Sequence, residues 1–161
     1  MATALSDFSA YSDYSVPDGS SFIIHLVVSQ WNKQITQSLS EGVFKTLLKH
    51  GVQKSNIKIW NVPGSFELIY GSKKAQSYNP DVVIAIGSVI QGETKHFDFV
   101  CNAVSQGIKD LNVHFEVPVI FCVLTDNNLQ QASDRSGGKY GNKGLEAAVA
   151  ALHIAKLRQV P

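Results

Sequence analysis

The sequence predicts a three-layer α/β sandwich, with four parallel strands in one sheet and helices on both faces. Three observations predict it. Short apolar runs alternate along the chain with longer stretches of helical periodicity. The last two runs, DVVIAIG at 81–87 and VPVIFCVL at 117–124, are apolar almost throughout, as strands covered on both faces are. The strand, helix, strand order implies right-handed crossovers and a doubly wound sheet, whose ligand site lies beyond the carboxyl ends of its strands. The segments that follow each strand are therefore where chemistry is expected.

The first nineteen residues are rich in Ser, Asp and Tyr and close on Pro17, Asp18 and Gly19, a composition suited to an arm laid over a partner or left mobile. Residues 20–161 are expected to form a single α/β domain, since 161 residues match one core and no repeat or linker interrupts them. FIIHLVV at 22–28 is the first strand. Ile35, Leu39, Val43 and Leu47 then recur every four residues, an amphipathic helix stopped by Gly51. NIKIWNV at 56–62 is the second strand, and a second helix is expected from near Ser65 to before Asn79 and Pro80. After the third strand, Val100, Val104, Ile108 and Leu111 mark a third helix. The fourth strand leads to a short helix around Leu129 to Arg135, a glycine-rich link, and a last helix with Leu145, Ala148, Val149 and Leu152 on one stripe and Asn142 as its cap.

Composition excludes several classes of function. Fourteen Lys and Arg against thirteen Asp and Glu give a net charge of +1, which offers no field for a nucleic acid. Cys101 and Cys122 have no His or Cys partner at metal-ligand spacing, so no metal site is expected, and both are expected as buried free thiols. The N-terminus lacks a basic segment followed by an apolar one, and no apolar stretch reaches the ~18 residues of a membrane span, so a cytoplasmic protein with no membrane partner is expected.

Each post-strand segment has a bland and a chemical reading. Trp31 and Asn32 follow the first strand, where an aromatic and an amide serve either packing or a planar ligand. Gly64, Ser65, Phe66 and Glu67 follow the second. Ser65 can cap the next helix and Glu67 can complement its dipole, or Glu67 and backbone amides can hydrogen-bond a polyol or heterocycle. After the third strand, GSVIQGETKHFD at 87–98 opens a helix with two glycines, so free amides and the positive dipole end converge on a ready phosphate site to which Thr94 adds a hydroxyl. His96 stands at that helix start, where the dipole disfavours imidazolium and leaves the ring available for proton transfer. His25, His50, His114 and His153 have no such setting and are assigned to packing or surface. Beyond the fourth strand, Arg135 precedes SGGKYGNKG at 136–144, which fails the spacing of a nucleotide-binding P-loop but leaves Arg135 able to grip a single phosphate.

Taken together, VPGSFE at 62–67, GSVIQGETKHFD at 87–98, PVIFCVLT at 118–125 and DRSGGKYGNKG at 134–144 resemble the 6,7-dimethyl-8-ribityllumazine synthase family of riboflavin biosynthesis, over roughly residues 20–158. The resemblance implies a flavodoxin-like fold and a condensation of 5-amino-6-ribitylaminouracil with 3,4-dihydroxy-2-butanone 4-phosphate, with loss of phosphate and water and no cofactor. Carried over by position, His96 resembles the proton-transfer residue, and Arg135 and Thr94 the phosphate ligands, in a loop that includes Gly92 and Glu93. Trp31 resembles the aromatic that stacks on the heterocycle. Asn32, Gly64, Ser65, Phe66, Glu67, Val89 and Ile90 resemble the pocket for ring and ribityl chain. Phe121 resembles a contact from a neighbouring subunit, Lys143 a further polar contributor near the phosphate, and Glu146 a carboxylate that steadies the arginine. Two departures are visible: Trp31 stands where many members have Phe, and Cys122 where Gly is frequent. The resemblance also implies a homo-oligomer of pentamers, with shells of twelve pentamers in many members, and the short link from Arg135 to Gly144 carries no insertion that obstructs such packing. The competing expectations are a noncatalytic flavin-binding or shell protein of the same fold, and a flavodoxin-like electron carrier, which needs a phosphate loop where this chain has Gln30, Trp31 and Asn32.

Overall fold

The computed structural model describes residues 16–160. Residues 1–15, the greater part of the expected N-terminal arm, lie outside the described residues, as does residue 161. The elements are β1 (Ile24–Ser29), α1 (Lys33–Lys49), a 3-10 turn (Lys54–Asn56), β2 (Ile57–Val62), α2 (Leu68–Gln76), β3 (Val82–Ile90), α3 (His96–His114), β4 (Val119–Asp126), α4 (Leu129–Arg135), β5 (Ser136–Gly138), β6 (Gly141–Asn142) and α5 (Lys143–Arg158). Strands β1 to β4 make one parallel sheet in the order β2-β1-β3-β4.

The period-two alternation of strand side chains divides the apolar residues between two layers. Ile24, Leu26 and Val28 on β1, with Val82, Ile84 and Ile86 on β3, pack against Leu39 and Val43 of α1 and Ala148 and Leu152 of α5. Val27, Val83 and Ala85 point the other way, onto Leu68 and Ala75 of α2 and Val104, Ile108 and Leu111 of α3. The sheet is thus covered on both faces, which is why β1 and β3 read as nearly continuous apolar runs.

Helix α1 buries the stripe Ile35, Leu39, Val43 and Leu47 that its periodicity predicts. Its chain reverses through Gly51 at φ 91°, a conformation that costs glycine little, with the Val52 amide donating to the Leu47 carbonyl at 3.0 Å. Helices α1 and α5 lie so close that a Cβ on Gly144 would stand 2.1 Å from the Leu39 carbonyl oxygen. Asn142 caps α5 by accepting from the Gly144 amide at 2.8 Å, and its amide nitrogen donates to Ser38 O at 2.9 Å and Ser136 O at 3.3 Å. One side chain therefore ties the α5 cap to α1 and to the segment after α4.

Four local expectations change. Helix α2 begins at Leu68 rather than near Ser65, because Ser65 is buried and directs its hydroxyl toward Ser88 O, 3.5 Å away, instead of capping. The glycine-rich link folds into the small antiparallel β5–β6 hairpin, with Gly137 at φ 124° and Gly141 at φ 73°. Of the stripe expected on α5, Ala148, Val149 and Leu152 are buried but Leu145 is exposed, and the small residues Gly144, Ala148, Ala151 and Ala155 on the buried side allow the close approach to α1. Cys122 is buried as expected, whereas Cys101 on α3 is only partly covered. Among the described residues, no helix is long and apolar enough to cross a membrane.

Candidate active site

The sheet order creates a crevice at the carboxyl end of β1. From β1 the chain crosses to β2 on one side and returns through α2 to β3 on the other, so the segments after β1 and β3 diverge there, as at the ligand sites of open α/β sheets. Strand β3 pairs with β1 only as far as Ile86, then runs on to Ile90 beside β4 alone. Its last four residues, Gly87 to Ile90, therefore stand as a wall beyond the end of β1.

Asn32 spans this crevice. It holds a left-handed conformation at φ 54° and ψ 46°, which Asn tolerates better than most residues, and its Nδ2 donates to Ser88 O at 3.0 Å. The Trp31 amide donates to Pro63 O at 3.0 Å, and the Gln30 amide to Val62 O at 2.8 Å, so the segment after β1 extends the pairing with the turn after β2. The indole of Trp31, fixed at its base, is 71% exposed, unusual for a residue of this size unless something else covers it.

A cleft of about 560 Å³ opens here, lined by Trp31, Asn32, Gly64, Ser65, Phe66, Glu67, Val89, Ile90, Gly92, Thr94 and His96. Ser88, Phe97 and Val100 complete it. The sequence reading assigned none of these three to the site. Val100 packs against the core as the α3 stripe predicts and also reaches the cleft, which only its place near the helix start, one turn after His96, could signal. Glu67 is exposed, and its carboxylate accepts no cap hydrogen bond from α2. It folds over Gly64, where a Cβ would lie 3.0 Å from Oε2. The dipole-complementing alternative is thus weaker than a carboxylate open to a ligand hydroxyl or amide.

His96 is the first residue of α3 and is exposed to the cleft. Its backbone amide donates to Thr94 Oγ1 at 3.4 Å, while the Phe97 and Asp98 amides of the first turn have no protein acceptor among the described residues. Unused amides at the start of a nineteen-residue helix suit an anion. Gly92 has open space where a side chain would be. Glu93, expected beside these residues, does not line this cleft.

The remaining expected residues gather elsewhere. Phe121, Arg135 and Lys143 line a second cleft of about 540 Å³ at the far edge of the sheet, between β4, α4 and α5. There Arg135 Nη1 lies 3.4 Å from Asp126 Oδ1 and donates to Gln131 O at 3.2 Å, and the guanidinium sits 5.3 Å from the Tyr140 ring centroid. Lys143 pairs with Glu146 at 2.5 Å. No ion pair joins Glu146 to Arg135 among the described residues: Glu146 lies one turn beyond Lys143 on α5 and pairs with that lysine instead. The carboxylate beside Arg135 is Asp126, which the sequence reading missed. Burial pushes its carboxyl above the usual range, and the guanidinium partly opposes that rise. Among the described residues, no three His, Cys, Asp or Glu side chains converge on a metal position.

Comparison with known proteins agrees with the motif reading. A profile of the family described as 6,7-dimethyl-8-ribityllumazine synthase matches residues 21–159. A protein of that name from Christiangramia forsetii is 58% identical, over 99% of this chain and 96% of its own. One from Flavobacterium johnsoniae is 58% identical over 99% and 84%, and one from Parabacteroides distasonis 52% over 96% and 97%.

Proposed function

The chain belongs to the 6,7-dimethyl-8-ribityllumazine synthase family, and from that premise we propose that it works as a pentamer whose active sites form between neighbouring subunits. It is a transferase that condenses 5-amino-6-ribitylaminouracil with 3,4-dihydroxy-2-butanone 4-phosphate and releases phosphate and water. A noncatalytic flavin-binding protein of the same fold is the less favoured alternative.

One observation carries the shared-site reading. His96 and Arg135, which must act on the same phosphorylated substrate, line two different clefts of one subunit. The first cleft offers an aromatic face, a carboxylate and a histidine beside free helix amides. The second offers Phe121, Arg135 and Lys143. If the second cleft of one subunit closes against the first cleft of its neighbour, ring stacking, polyol binding, proton transfer and phosphate binding come together.

In this reading Trp31 stacks on the heterocycle, with Val89 and Ile90 beside it. Asn32, Ser65, Phe66 and Glu67 hold the ring and ribityl chain. The α3 start, with Gly92 and Thr94, and Arg135 from the neighbour hold the phosphate. Imine formation, phosphate elimination and ring closure all need proton transfers, which His96 serves within reach of the phosphate. Two substrates held in one site react as an effectively unimolecular pair, so positioning supplies much of the acceleration. We also propose a cytoplasmic location, a single domain over residues 20–161 with an N-terminal arm, and packing of twelve pentamers into a shell. The compact β5–β6 hairpin, closed by the Tyr140 amide on Asp134 O at 2.8 Å, supports the last point by leaving little bulk between α4 and α5.

Subunit mixing tests the shared site. His96→Ala and Arg135→Ala proteins, each impaired alone, are unfolded together in equal amounts and refolded. Random assembly gives about a quarter of interfaces an intact His96 facing an intact Arg135, so about a quarter of wild-type activity returns. A mixture no more active than its parents refutes the reading.

A further inference from the structure

We propose that Asp126 is the positioning residue for Arg135, holding one side of the guanidinium against the protein and, by its charge, keeping the grip on phosphate loose enough for release. The inference rests on the reading of Arg135 as a phosphate ligand and deepens it. Asp126 is the last residue of β4, 5% exposed, and its carbonyl accepts from the Gln91 amide at 2.9 Å, so its backbone is fixed. Its Oδ1 and the Gln131 carbonyl both engage Arg135 at Nη1, at 3.4 and 3.2 Å. Neither Nη2 nor Nε of Arg135 has a protein acceptor among the described residues. The fork that matches two phosphate oxygens is thereby left free, while the rest of the group is held from behind.

The second oxygen of Asp126, Oδ2, is buried and without a hydrogen-bond partner among the described residues. A buried carboxylate that is only half satisfied is costly, and an arriving phosphate adds a second anion to the same guanidinium. The charged groups that share the cleft are few. Helix α4 contributes Arg135; α5 contributes Lys143 and Glu146, which neutralise each other; β3 contributes none. The charge of Asp126 therefore acts on the phosphate with little competition. Desolvation raises this carboxyl above its ordinary value, and bound phosphate favours its protonation further.

Two substitutions separate the two effects. Asp126→Asn keeps an oxygen for Nη1 and removes the charge, whereas Asp126→Ala removes both. The measurements are inhibition by inorganic phosphate at one fixed pH, and KM for each substrate, on assembled enzyme checked by thermal melting. Relative to wild type, D126N is expected to bind phosphate about threefold or more tighter. D126A is expected to raise KM for the phosphorylated substrate about threefold or more, and KM for the ribitylaminouracil is expected to stay unchanged in both. Any other ordering of the three proteins overturns the assignment, and equal losses toward both substrates show a merely structural role. Arg135→Ala is run alongside. If it leaves phosphate inhibition intact, the phosphate role of Arg135 fails and the inference with it; if it abolishes inhibition while both Asp126 variants match wild type, only the inference fails.

Discussion

Replacing Trp31 with Ala tests the site at its most exposed apolar group. The indole is 71% exposed in the free chain, and an aromatic of this class covers about 150–250 Å² when fully buried. A planar ring stacked on one face removes roughly 80 Å² of that from water, or ~2 kcal/mol at ~25 cal/mol per Å², about thirtyfold in Kd. Titration with riboflavin or a ribityl analogue reads this directly, because a stacked flavin quenches the indole that it covers. Trp60 serves as the internal control. It lines neither cleft, lies 5.1 Å from the Tyr78 ring, and has Lys58 Nζ 4.1 Å above it. Trp31→Ala should bind about thirtyfold more weakly and lose most of the quenching, Trp31→Phe should retain most of the affinity, and Trp60→Phe should respond as wild type. If Trp31→Ala binds within about threefold of wild type and its remaining emission is still quenched, the stacking assignment is wrong.

Three further outcomes are expected. His96→Ala should lower turnover about ten- to a thousandfold with both substrates saturating while ribityl-analogue binding survives, and unchanged turnover removes the proton-transfer role. His25, buried on β1 beside the Trp60 and Tyr78 rings, has its pKa lowered from 6.5, by burial first and by Lys58 as well, while a hydrogen bond to the Ala75 backbone opposes the shift. The unfolded chain then takes up a proton that the folded one resists, so the His25 contribution is intact above pH 6.5 and is lost as the pH falls from there toward the lower native value. Melting curves of wild type and His25→Gln should diverge in slope across that window, and parallel curves contradict it. In analytical ultracentrifugation of tag-free protein, a species near five times 17.5 kDa with nothing larger rejects the shell, and a fully active monomer rejects the shared site altogether.

The fold was legible because its signals are periodic and local. Ile35, Leu39, Val43 and Leu47 declare one helical face without reference to the rest of the chain, and the run from Val82 to Ile86 can be covered on both sides only in a parallel sheet. Asn142 was legible as a cap for the same reason, since the Gly144 amide that donates to it lies two residues on. Ser65 was misjudged because its competitor is remote: the Ser88 carbonyl, twenty-three residues away, draws the hydroxyl inward. The β5–β6 hairpin was hidden because strands of three and two residues carry no pattern to count.

The site divides along the same line. Trp31, Glu67 and His96 could be singled out because each follows a strand end, and a doubly wound sheet brings such ends to one crevice. Asp126 could not, since its interest lies wholly in a guanidinium nine positions later that the turn into α4 folds back toward it. Glu146 was chosen in its place on resemblance alone, although Lys143 one helical turn earlier already satisfies it. The same reasoning separates what one chain encodes locally from what it encodes only in an assembly. Nothing in the spacing of His96 and Arg135 tells a reader whether they meet within a subunit. The two clefts carry the proposed answer: the sheet holds the end of β1 and the far side of β4 two strands apart, and in the shared-site reading a second copy of the chain brings the arginine to the histidine.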